Sequence, residues 1–313
     1  MESPSGIRIV YFGTPEFAAH ILRHLIDSGE HVVGVVTTPD KPQGRGRRMK
    51  GSAVRAKAEQ FRIPVLTPTK HRDPDFLAAL RELDADLFVV VAYKILPMEV
   101  IRMPRLGAFN VHASLLPKYR GAAPINWAIM RGERETGVTT FLLDEQVDTG
   151  NLLLSKGCEI GPEETAGELH DKLMMIGSEL ALLTIRGLAE RRLHPVSQAD
   201  EKATTAPKIF PHDCIIDLSR TALEVHDFIR GLSPHPGAVM TLENGVKLKI
   251  LRTRLAAEQS PLSPGNFKHD QHGKRLFVGS SDSTIEILEL QREGKRAMST
   301  EEFLRGNMGL FDS

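Results

Sequence analysis

The sequence has few cysteines and no long apolar run. Among 313 residues only Cys158 and Cys214 are cysteine, in separate regions and without metal-ligand spacing. We therefore expect neither disulfides nor a bound metal, and a reducing compartment, the cytoplasm, is the predicted location. No apolar run reaches the roughly 20 residues that span a bilayer. The few residues before Ile7 are too short for a signal peptide, so we expect no export.

An excess of charge of either sign is also missing. Lys and Arg together number 40, as do Asp and Glu, which gives a formal net charge of zero. This balance excludes wholesale coating of nucleic acid but permits a local basic patch. A chain of 313 residues can bury a full core and divide into two domains. No helical zipper or long apolar face is left over, so a monomer is expected.

The N-terminal part alternates short apolar segments with helical patterns. The segments IRIVYF from Ile7, HVVGVVTT from His31 and DLFVVVAY from Asp86 are continuous apolar runs typical of buried parallel strands. Their alternation with helices predicts an α/β fold, a doubly wound, mostly parallel sheet of Rossmann-like type. A further strand, AFNVH, ends at His112. Because ligands of such sheets bind beyond the carboxyl ends of strands, this end is a candidate site.

A long helix closes the predicted first domain, and the pattern changes after residue 190. Thr165 and Glu168 form a predicted capping box, which opens a helix with an apolar stripe at Leu169, Leu173, Ile176, Leu180 and Leu183. The polar residues 191–208 suit a linker over the surface. Beyond them, short strands and the hairpin signal Asn244-Gly245 predict a smaller β-barrel, OB-like. The predicted domains are 1–190, a linker at 191–208, and a C-terminal β-barrel domain at 209–313.

Polar groups suited to acyl transfer collect at the end of the strand AFNVH. Alternation along a strand points Asn110 and His112 to the same side. A carbonyl under attack by an amine needs an amide donor at its oxygen and an imidazole that donates or exchanges protons. Asp148, in the loop VDTGN, can accept from the second ring nitrogen and fix the tautomer. The alternative for Asp148 is a turn residue before Gly150. The predicted catalytic residues are Asn110, His112 and Asp148.

The stretch NVHASLLPKYRGAAPI, together with VDTGN, strongly resembles the folate-dependent formyltransferase superfamily. The signature of that superfamily is Asn-x-His, a Ser-Leu-Leu-Pro loop and a later Asp-Thr-Gly. The resemblance implies that the formyl donor is 10-formyltetrahydrofolate, and that Asn110, His112 and Asp148 are catalytic. By the same resemblance the folate-binding residues are Ser114, Leu115, Leu116, Pro117, Val91 and Tyr93.

Three further segments are similar to the methionyl-tRNA formyltransferase family: FGTPEFA from Phe12, the polar insertion at 38–50, and APKI from Ala206 with the motifs after Ile229. This similarity implies transfer of the formyl group to the amine of initiator methionyl-tRNA, for translation initiation. It also implies that the insertion grips the acceptor stem and that the second domain offers a basic surface. The cations expected to contact tRNA are Lys41, Arg45, Arg47, Arg48 and Lys50.

Alternatives stay open at this point. A cationic run is commonly a solvated segment without a ligand. Another formyltransferase, acting on a sugar-nucleotide or other small amine, would share the catalytic trio. A protein that binds RNA or senses folate without catalysis is a third reading, against which the intact trio argues. The chain also departs from the family pattern at a few positions. The segment 91–97 is one residue shorter than in the family, and Lys94 stands near the position where the family commonly has glycine. His235 replaces a usual Trp or Tyr, and Ala113 a common glycine.

Overall fold

The computed structural model describes residues 3–43, 48–256, 262–270 and 272–311. The chain forms two compact units. Unit 1 comprises Met1–Gly121, Gly137–Cys158 and Asp171–Thr205, and unit 2 comprises Ala122–Thr136, Glu159–His170 and Ala206–Ser313. The domain bounds inferred from the sequence stay a prediction. Within the described ranges, no helix is long and apolar enough to cross a membrane.

The strands are β1 (Arg8–Gly13), β2 (His31–Val36), β3 (Lys41–Gln43), β4 (Arg48–Lys50), β5 (Val65–Leu66), β6 (Leu87–Val91), β7 (Ala108–His112), β8 (Glu135–Leu142), β9 (Leu152–Glu159), β10 (Ala238–Thr241), β11 (Lys247–Leu255), β12 (Phe267–His269), β13 (Leu276–Gly279), β14 (Thr284–Arg292) and β15 (Met298–Ser299). The helices are α1 (Glu16–Asp27), α2 (Ala53–Gln60), α3 (Pro74–Glu82), α4 (Met98–Ile101), α5 (Pro124–Met130), α6 (Ala166–Ala189), α7 (Ala222–Leu232) and α8 (Thr300–Leu304).

A mixed sheet organises unit 1, with the strand order β5-β2-β1-β6-β7-β8-β9. The neighbours from β5 to β7 pair in parallel, while β7 and β8 run antiparallel. The predicted doubly wound, mostly parallel sheet is thereby confirmed. The chain moves outward from β1 to β2 and β5, and then returns to β6 on the other side of β1. The strand order therefore reverses between β1 and β6, where α/β proteins place their ligands.

Continuous burial explains why these strands carry uninterrupted apolar runs. Every residue of β6 is buried, because both faces of a parallel sheet are covered.

At the end of β1 the backbone packs closely against α1. A Cβ atom at Gly13 would lie 2.7 Å from Cβ of Ala18, so only glycine fits there. This contact fixes the turn between the first strand and the first helix.

The capping box predicted for α6 is confirmed. The Thr165 backbone N–H donates to Glu168 Oε2 over 2.8 Å, and the Glu168 N–H donates to Thr165 Oγ1 over 3.3 Å.

The apolar stripe predicted for α6 was wrong at its C-terminal end, because Leu183 is 56% exposed whereas Leu180 is buried. A repeat of seven residues drifts around a straight helix by about 20° per heptad. Over 24 residues the buried side has moved on to Thr184 and Ile185.

Unit 2 contains an antiparallel sheet in the order β10-β11-β14-β13-β12, with β15 paired to β14. The short strands predicted for this part of the chain are thus confirmed and form an antiparallel sheet, while its closure into an OB-like β-barrel stays a prediction. The predicted hairpin joins β10 and β11, and Gly245 in its turn has a φ of +80°. Helix α7 packs on β11. Their contact contributes to a buried core that includes Val225, Ile229, Leu248 and Ile250.

The Glu168 carboxylate should give unit 2 a pH-dependent contribution to stability. Burial alone would raise its pKa, but hydrogen bonds from the Thr165 backbone and the Arg252 guanidinium outweigh burial and lower the pKa to about 2. Because this value lies below that of the unfolded chain, the stabilisation is complete above about pH 4.5 and is lost as pH falls towards 2.

We expect Glu168→Gln to lower the free energy of unfolding at pH 7 by about 1 kcal/mol, a figure reduced for solvent screening of this half-exposed carboxylate. Urea unfolding between pH 7 and pH 2.5 measures the difference from wild type, which should shrink with acid. The exposed Glu293 in a turn of the same unit supplies the control Glu293→Gln. A difference that stays constant over this range would contradict the role of the ionised carboxylate.

Candidate active site

Strand β7 presents the first two residues of the predicted catalytic trio. Asn110 pairs with Val90 of β6 and Phe141 of β8, and His112 pairs with Thr139. The Asn110 side chain is half-buried, and its amide has no hydrogen-bond partner among the described residues. An amide in this state retains both its donors and its acceptor for a bound molecule.

The His112 imidazole is buried and oriented by a backbone carbonyl. Only 7% of the residue is exposed, and its ring lies edge-on to Phe141 with 6.4 Å between the ring centroids. Nε2 lies 2.9 Å from the carbonyl oxygen of Tyr119. Because a carbonyl can only accept, we assign the proton of the neutral ring to Nε2. Nδ1 is then the nitrogen that can take up a further proton.

Asp148 faces that second nitrogen. Its Oδ2 lies 3.8 Å from His112 Nδ1, with both side chains buried. This separation suits an ion pair once the ring is protonated, but it exceeds the length of a direct hydrogen bond. The same Oδ2 accepts the backbone N–H of Gly121 over 2.8 Å. The sequence led us to expect that Asp148 fixes the tautomer of His112. In this structure the Tyr119 carbonyl does so instead, because it accepts the hydrogen bond from Nε2.

The loop between β8 and β9 holds Asp148 by close backbone packing. Asp148 has a φ of +58°, a left-handed conformation that aspartate tolerates better than most residues. Two residues later, a Cβ at Gly150 would lie 1.7 Å from the carbonyl oxygen of Leu142, so this position admits only glycine. Asp148 is therefore a turn residue, as its alternative interpretation had it, and at the same time it faces the imidazole.

Gln198 supports this loop from a segment that the sequence analysis assigned to a linker. Its side-chain N–H groups donate to the carbonyl oxygens of Asp148 over 2.9 Å and Gly150 over 2.8 Å. Its Oε1 in turn accepts from the Arg120 guanidinium over 2.7 Å. The residues around Gln198 show neither periodicity nor a motif, so no local pattern in this single sequence indicated its position.

The loop predicted to bind folate is tied down by its own hydrogen bonds. Ser114 Oγ donates to the Lys118 carbonyl over 2.6 Å, and the Leu116 N–H donates to Thr139 Oγ1 over 3.1 Å. Ser114 is fully buried, Leu116 is buried, and Leu115 and Pro117 are half-buried. A ligand can therefore reach the side chains of Leu115 and Pro117 more readily than that of Ser114.

The other two predicted folate residues differ in accessibility. Val91 is fully buried in the sheet, whereas Tyr93 is half-buried. The Tyr93 hydroxyl lies 3.0 Å from Nε2 of His71. Burial raises the pKa of Tyr93 to about 12, and burial together with the nearby Lys94 charge lowers the pKa of His71. Both groups are thus neutral at pH 7, with the phenol donating to the imidazole.

The basic insertion contains a small antiparallel hairpin, which the sequence analysis treated only as a polar insertion. Strands β3 and β4 pair Lys41 with Lys50 and Gln43 with Arg48. Lys50 is exposed. Arg45 and Arg47 lie outside the described residues, as do the side chains of Lys41 and Arg48. Contact of these five cations with RNA stays a prediction.

The Asp148 geometry predicts that two substitutions differ in their effect on stability. Asp148→Asn keeps the acceptor for the Gly121 N–H and tolerates the left-handed backbone. Asp148→Ala loses the acceptor and strains the backbone, so we expect it to lower the free energy of unfolding by about 2 kcal/mol more than Asn. Urea denaturation measures both.

Asp84, which is exposed with a φ of +45°, provides the matched control. The variants Asp84→Asn and Asp84→Ala report the backbone strain alone, without a lost acceptor. If the difference between Ala and Asn were the same at both positions, the hydrogen bond to Gly121 would contribute nothing.

Comparison with solved structures finds the same fold in other proteins. The N-formyltransferase of Helicobacter canadensis, solved with folinic acid and dTDP-3-aminofucose, superposes with a TM-score of 0.67 at 19% identity, covering 91% of this chain and 99% of that one. HypX of Aquifex aeolicus gives 0.67 at 16% identity, covering 97% of this chain and 48% of that one. At these identities the likeness concerns the fold alone.

Sequence comparison is more specific. Residues 7–185 match the model of the formyl transferase family, and residues 208–308 match that of its C-terminal domain. The methionyl-tRNA formyltransferase of Bacteroides thetaiotaomicron is 44% identical over 309 residues, 96% of this chain and 95% of that protein. The protein of the same name from Geobacter sulfurreducens is 42% identical over 304 residues, 96% and 94% of the two chains. The chain therefore belongs to the formyl transferase family, in the branch whose members are named methionyl-tRNA formyltransferase.

Proposed function

We propose that the chain transfers the formyl group of 10-formyltetrahydrofolate to the amine of initiator methionyl-tRNA, giving N-formylmethionyl-tRNA. The observation that carries this proposal is the buried pair of His112 and Asp148, with Asn110 on the same strand as His112. The Asn110 amide has no hydrogen-bond partner in the described part of the chain. Nearly end-to-end similarity to the bacterial relatives supports this acceptor over a small amine.

In the proposed reaction the methionine amine attacks the formyl carbon of the donor. A bond forms between the amine nitrogen and that carbon, and negative charge develops on the formyl oxygen. The Asn110 amide donates a hydrogen bond to this oxygen, a contact stronger in the transition state than in the ground state. Collapse of the tetrahedral intermediate breaks the bond to N10, which leaves as tetrahydrofolate after gaining a proton.

His112 manages the proton in this scheme. Its Nε2 is engaged by the Tyr119 carbonyl, so Nδ1 accepts the proton that the attacking amine releases. The resulting imidazolium lies between the Tyr119 carbonyl and the Asp148 carboxylate, which stabilise its positive charge. The imidazolium in turn attracts the developing oxyanion. The same proton then passes to N10 of the leaving folate. Donor binding is proposed for the loop of Ser114–Pro117 and for the Val91–Tyr93 segment.

Loss of the imidazole should abolish most turnover. We expect His112→Ala to lower kcat for formylation of charged tRNA by at least about 10²-fold, while the Kd for tRNA changes little. Single-turnover formylation and a separate binding titration measure the two quantities. The exposed His31 on β2 supplies the control His31→Ala, which should keep wild-type turnover. Substantial formylation by the His112 variant would remove this residue from the mechanism.

The acceptor is tested by direct competition. Wild-type protein with 10-formyltetrahydrofolate is given charged methionyl-tRNA and, separately, an amino sugar linked to a nucleotide. Preference for the sugar amine would replace the proposed function with the alternative of a sugar-nucleotide formyltransferase.

The basic insertion should set part of the salt dependence of tRNA binding. Each cation that neutralises one phosphate contributes roughly 0.7 to 0.9 to the slope of log K against log salt. We therefore expect Arg45→Ala, Arg47→Ala and Arg48→Ala each to flatten that slope by up to this amount. Binding titrations at several salt concentrations measure it, with the exposed Arg72→Ala as control. Slopes equal to wild type in all three variants would show that the insertion binds no phosphate.

A further inference from the structure

Residues 196–205 form a strap whose two ends are paired with the rest of unit 1. At one end Val196 and Leu152 exchange backbone hydrogen bonds of 2.7 and 2.9 Å. At the other end the Arg120 N–H donates to the Thr204 carbonyl over 2.9 Å. The strap and all of these partners belong to unit 1. Its side chains therefore extend from a main chain that is held at two points.

The Arg120 guanidinium orients Gln198 within the strap. Its Nε and Nη2 lie 3.1 and 2.7 Å from Gln198 Oε1, and Nη2 also donates to Asp200 Oδ1 over 2.7 Å. The Arg120 side chain is only 15% exposed. Because a guanidinium has donors alone, the atom of Gln198 that faces it is the amide oxygen. The amide nitrogen is therefore free to donate to the carbonyl oxygens of Asp148 and Gly150, as it does.

The strap also holds the peptide unit whose oxygen orients His112. That unit links Tyr119 to Arg120. Its oxygen lies 2.9 Å from His112 Nε2, and its N–H donates to the Thr204 carbonyl. The C=O and N–H of a trans peptide point in opposite directions, so the ring and the strap lie on opposite sides of one rigid plane. The Tyr119 N–H in turn donates to Thr204 Oγ1 over 2.9 Å.

We propose that the strap positions both groups that flank the His112 ring, with Gln198 and Thr204 as positioning residues for formyl transfer. This inference rests on the proposed function. Gln198 acts through the loop that carries Asp148, and Thr204 acts through the peptide between Tyr119 and Arg120. Displacement of a catalytic group by about 1 Å can cost up to about 10²-fold in rate, so the strap has a large effect to exert.

A double-mutant cycle with Asp148 tests Gln198. Gln198→Ala removes both donors to the loop, and we expect it to lower kcat for methionyl-tRNA about tenfold while KM stays within about twofold. In an Asp148→Asn background the same change should lower kcat by less than about twofold, because Gln198 acts through that carboxylate. The exposed Ser197 of the strap supplies the matched control Ser197→Ala, which should keep wild-type kinetics.

Three results would overturn the role of Gln198. The first is an unchanged kcat in Gln198→Ala. The second is an equally large loss in the Asp148→Asn background, which would make Gln198 a general structural residue. The third is a rise in KM in place of a fall in kcat, which would place Gln198 in substrate binding.

Two substitutions of Thr204 separate its hydroxyl from its methyl group. Thr204→Val keeps the shape and loses the acceptor for the Tyr119 N–H, whereas Thr204→Ser keeps the acceptor. We expect Thr204→Val to lower kcat about fivefold at constant KM, and Thr204→Ser to retain wild-type kcat. Any other order of the two variants would remove the hydroxyl from the positioning of the ring.

Hydrogen exchange measures the position of Asp148 without any substrate. The Gly121 N–H donates to Asp148 Oδ2, so exchange of this amide in the protein alone reports how often the carboxylate moves away. Gln198→Ala should raise the exchange rate at Gly121 about tenfold and leave the amides of β6 unchanged, and Ser197→Ala should change neither. An unchanged rate at Gly121, or faster exchange throughout β6, would overturn positioning by the strap whatever the kinetics.

The exchange measurement also separates this inference from the proposed function. If wild-type protein fails to formylate methionyl-tRNA while Gln198→Ala still accelerates exchange at Gly121, the proposed function falls and the positioning of Asp148 by the strap stands. If the wild type formylates methionyl-tRNA and Gln198→Ala changes neither turnover nor exchange, the strap has no such role and the proposed function is unaffected.

Discussion

The close approach of Gly150 to the Leu142 carbonyl is the contact on which the candidate site depends. It leaves no room for a side chain and so sets the path of the loop that leaves β8. That path places Asp148 in a left-handed conformation, with its carboxylate turned towards Gly121 and the imidazole. Gln198 stabilises the loop by donating hydrogen bonds to the carbonyl oxygens of Asp148 and Gly150. A backbone constraint, rather than an attraction between charges, thereby positions the negative group.

As a result, Nε2 of the His112 imidazole is hydrogen-bonded and Nδ1 faces the buried Asp148 carboxylate. The carboxylate oxygen lies 3.8 Å from that nitrogen, a distance at which it attracts a positive charge on the ring. Asn110 has the opposite character, because its amide is left without a partner among the described residues. The site thus combines a group that is already oriented with a group that is held ready to donate. Both are carried by β7, at the edge where parallel pairing gives way to antiparallel pairing.

The parts of the structure that follow local rules could be predicted from the sequence. The parallel strands, the end of β7 at His112 and the capping box of Thr165 with Glu168 depend on neighbours within a few residues, and they were found. The pairing of β3 with β4 was missed, because that insertion lacks the alternating apolar pattern of a buried strand. Gln198 was missed because its role comes from a loop about fifty residues away, and single-sequence patterns carry no such tertiary information. For the same reason the motif predicted a trio of residues, but not the separation of 3.8 Å between Asp148 Oδ2 and His112 Nδ1.

The partner of His112 Nε2 is a main-chain carbonyl, and this has an evolutionary consequence. Every amino acid brings a carbonyl oxygen, so no substitution at position 119 can delete the acceptor that orients the ring. Selection at that position acts instead on the left-handed backbone, with a φ of +62°, and on packing, which glycine and asparagine satisfy more easily than branched residues. The proton of the neutral ring therefore stays on the same nitrogen whichever side chain stands at position 119. The tautomer of His112 is in this sense determined by the path of the main chain and not by one side chain.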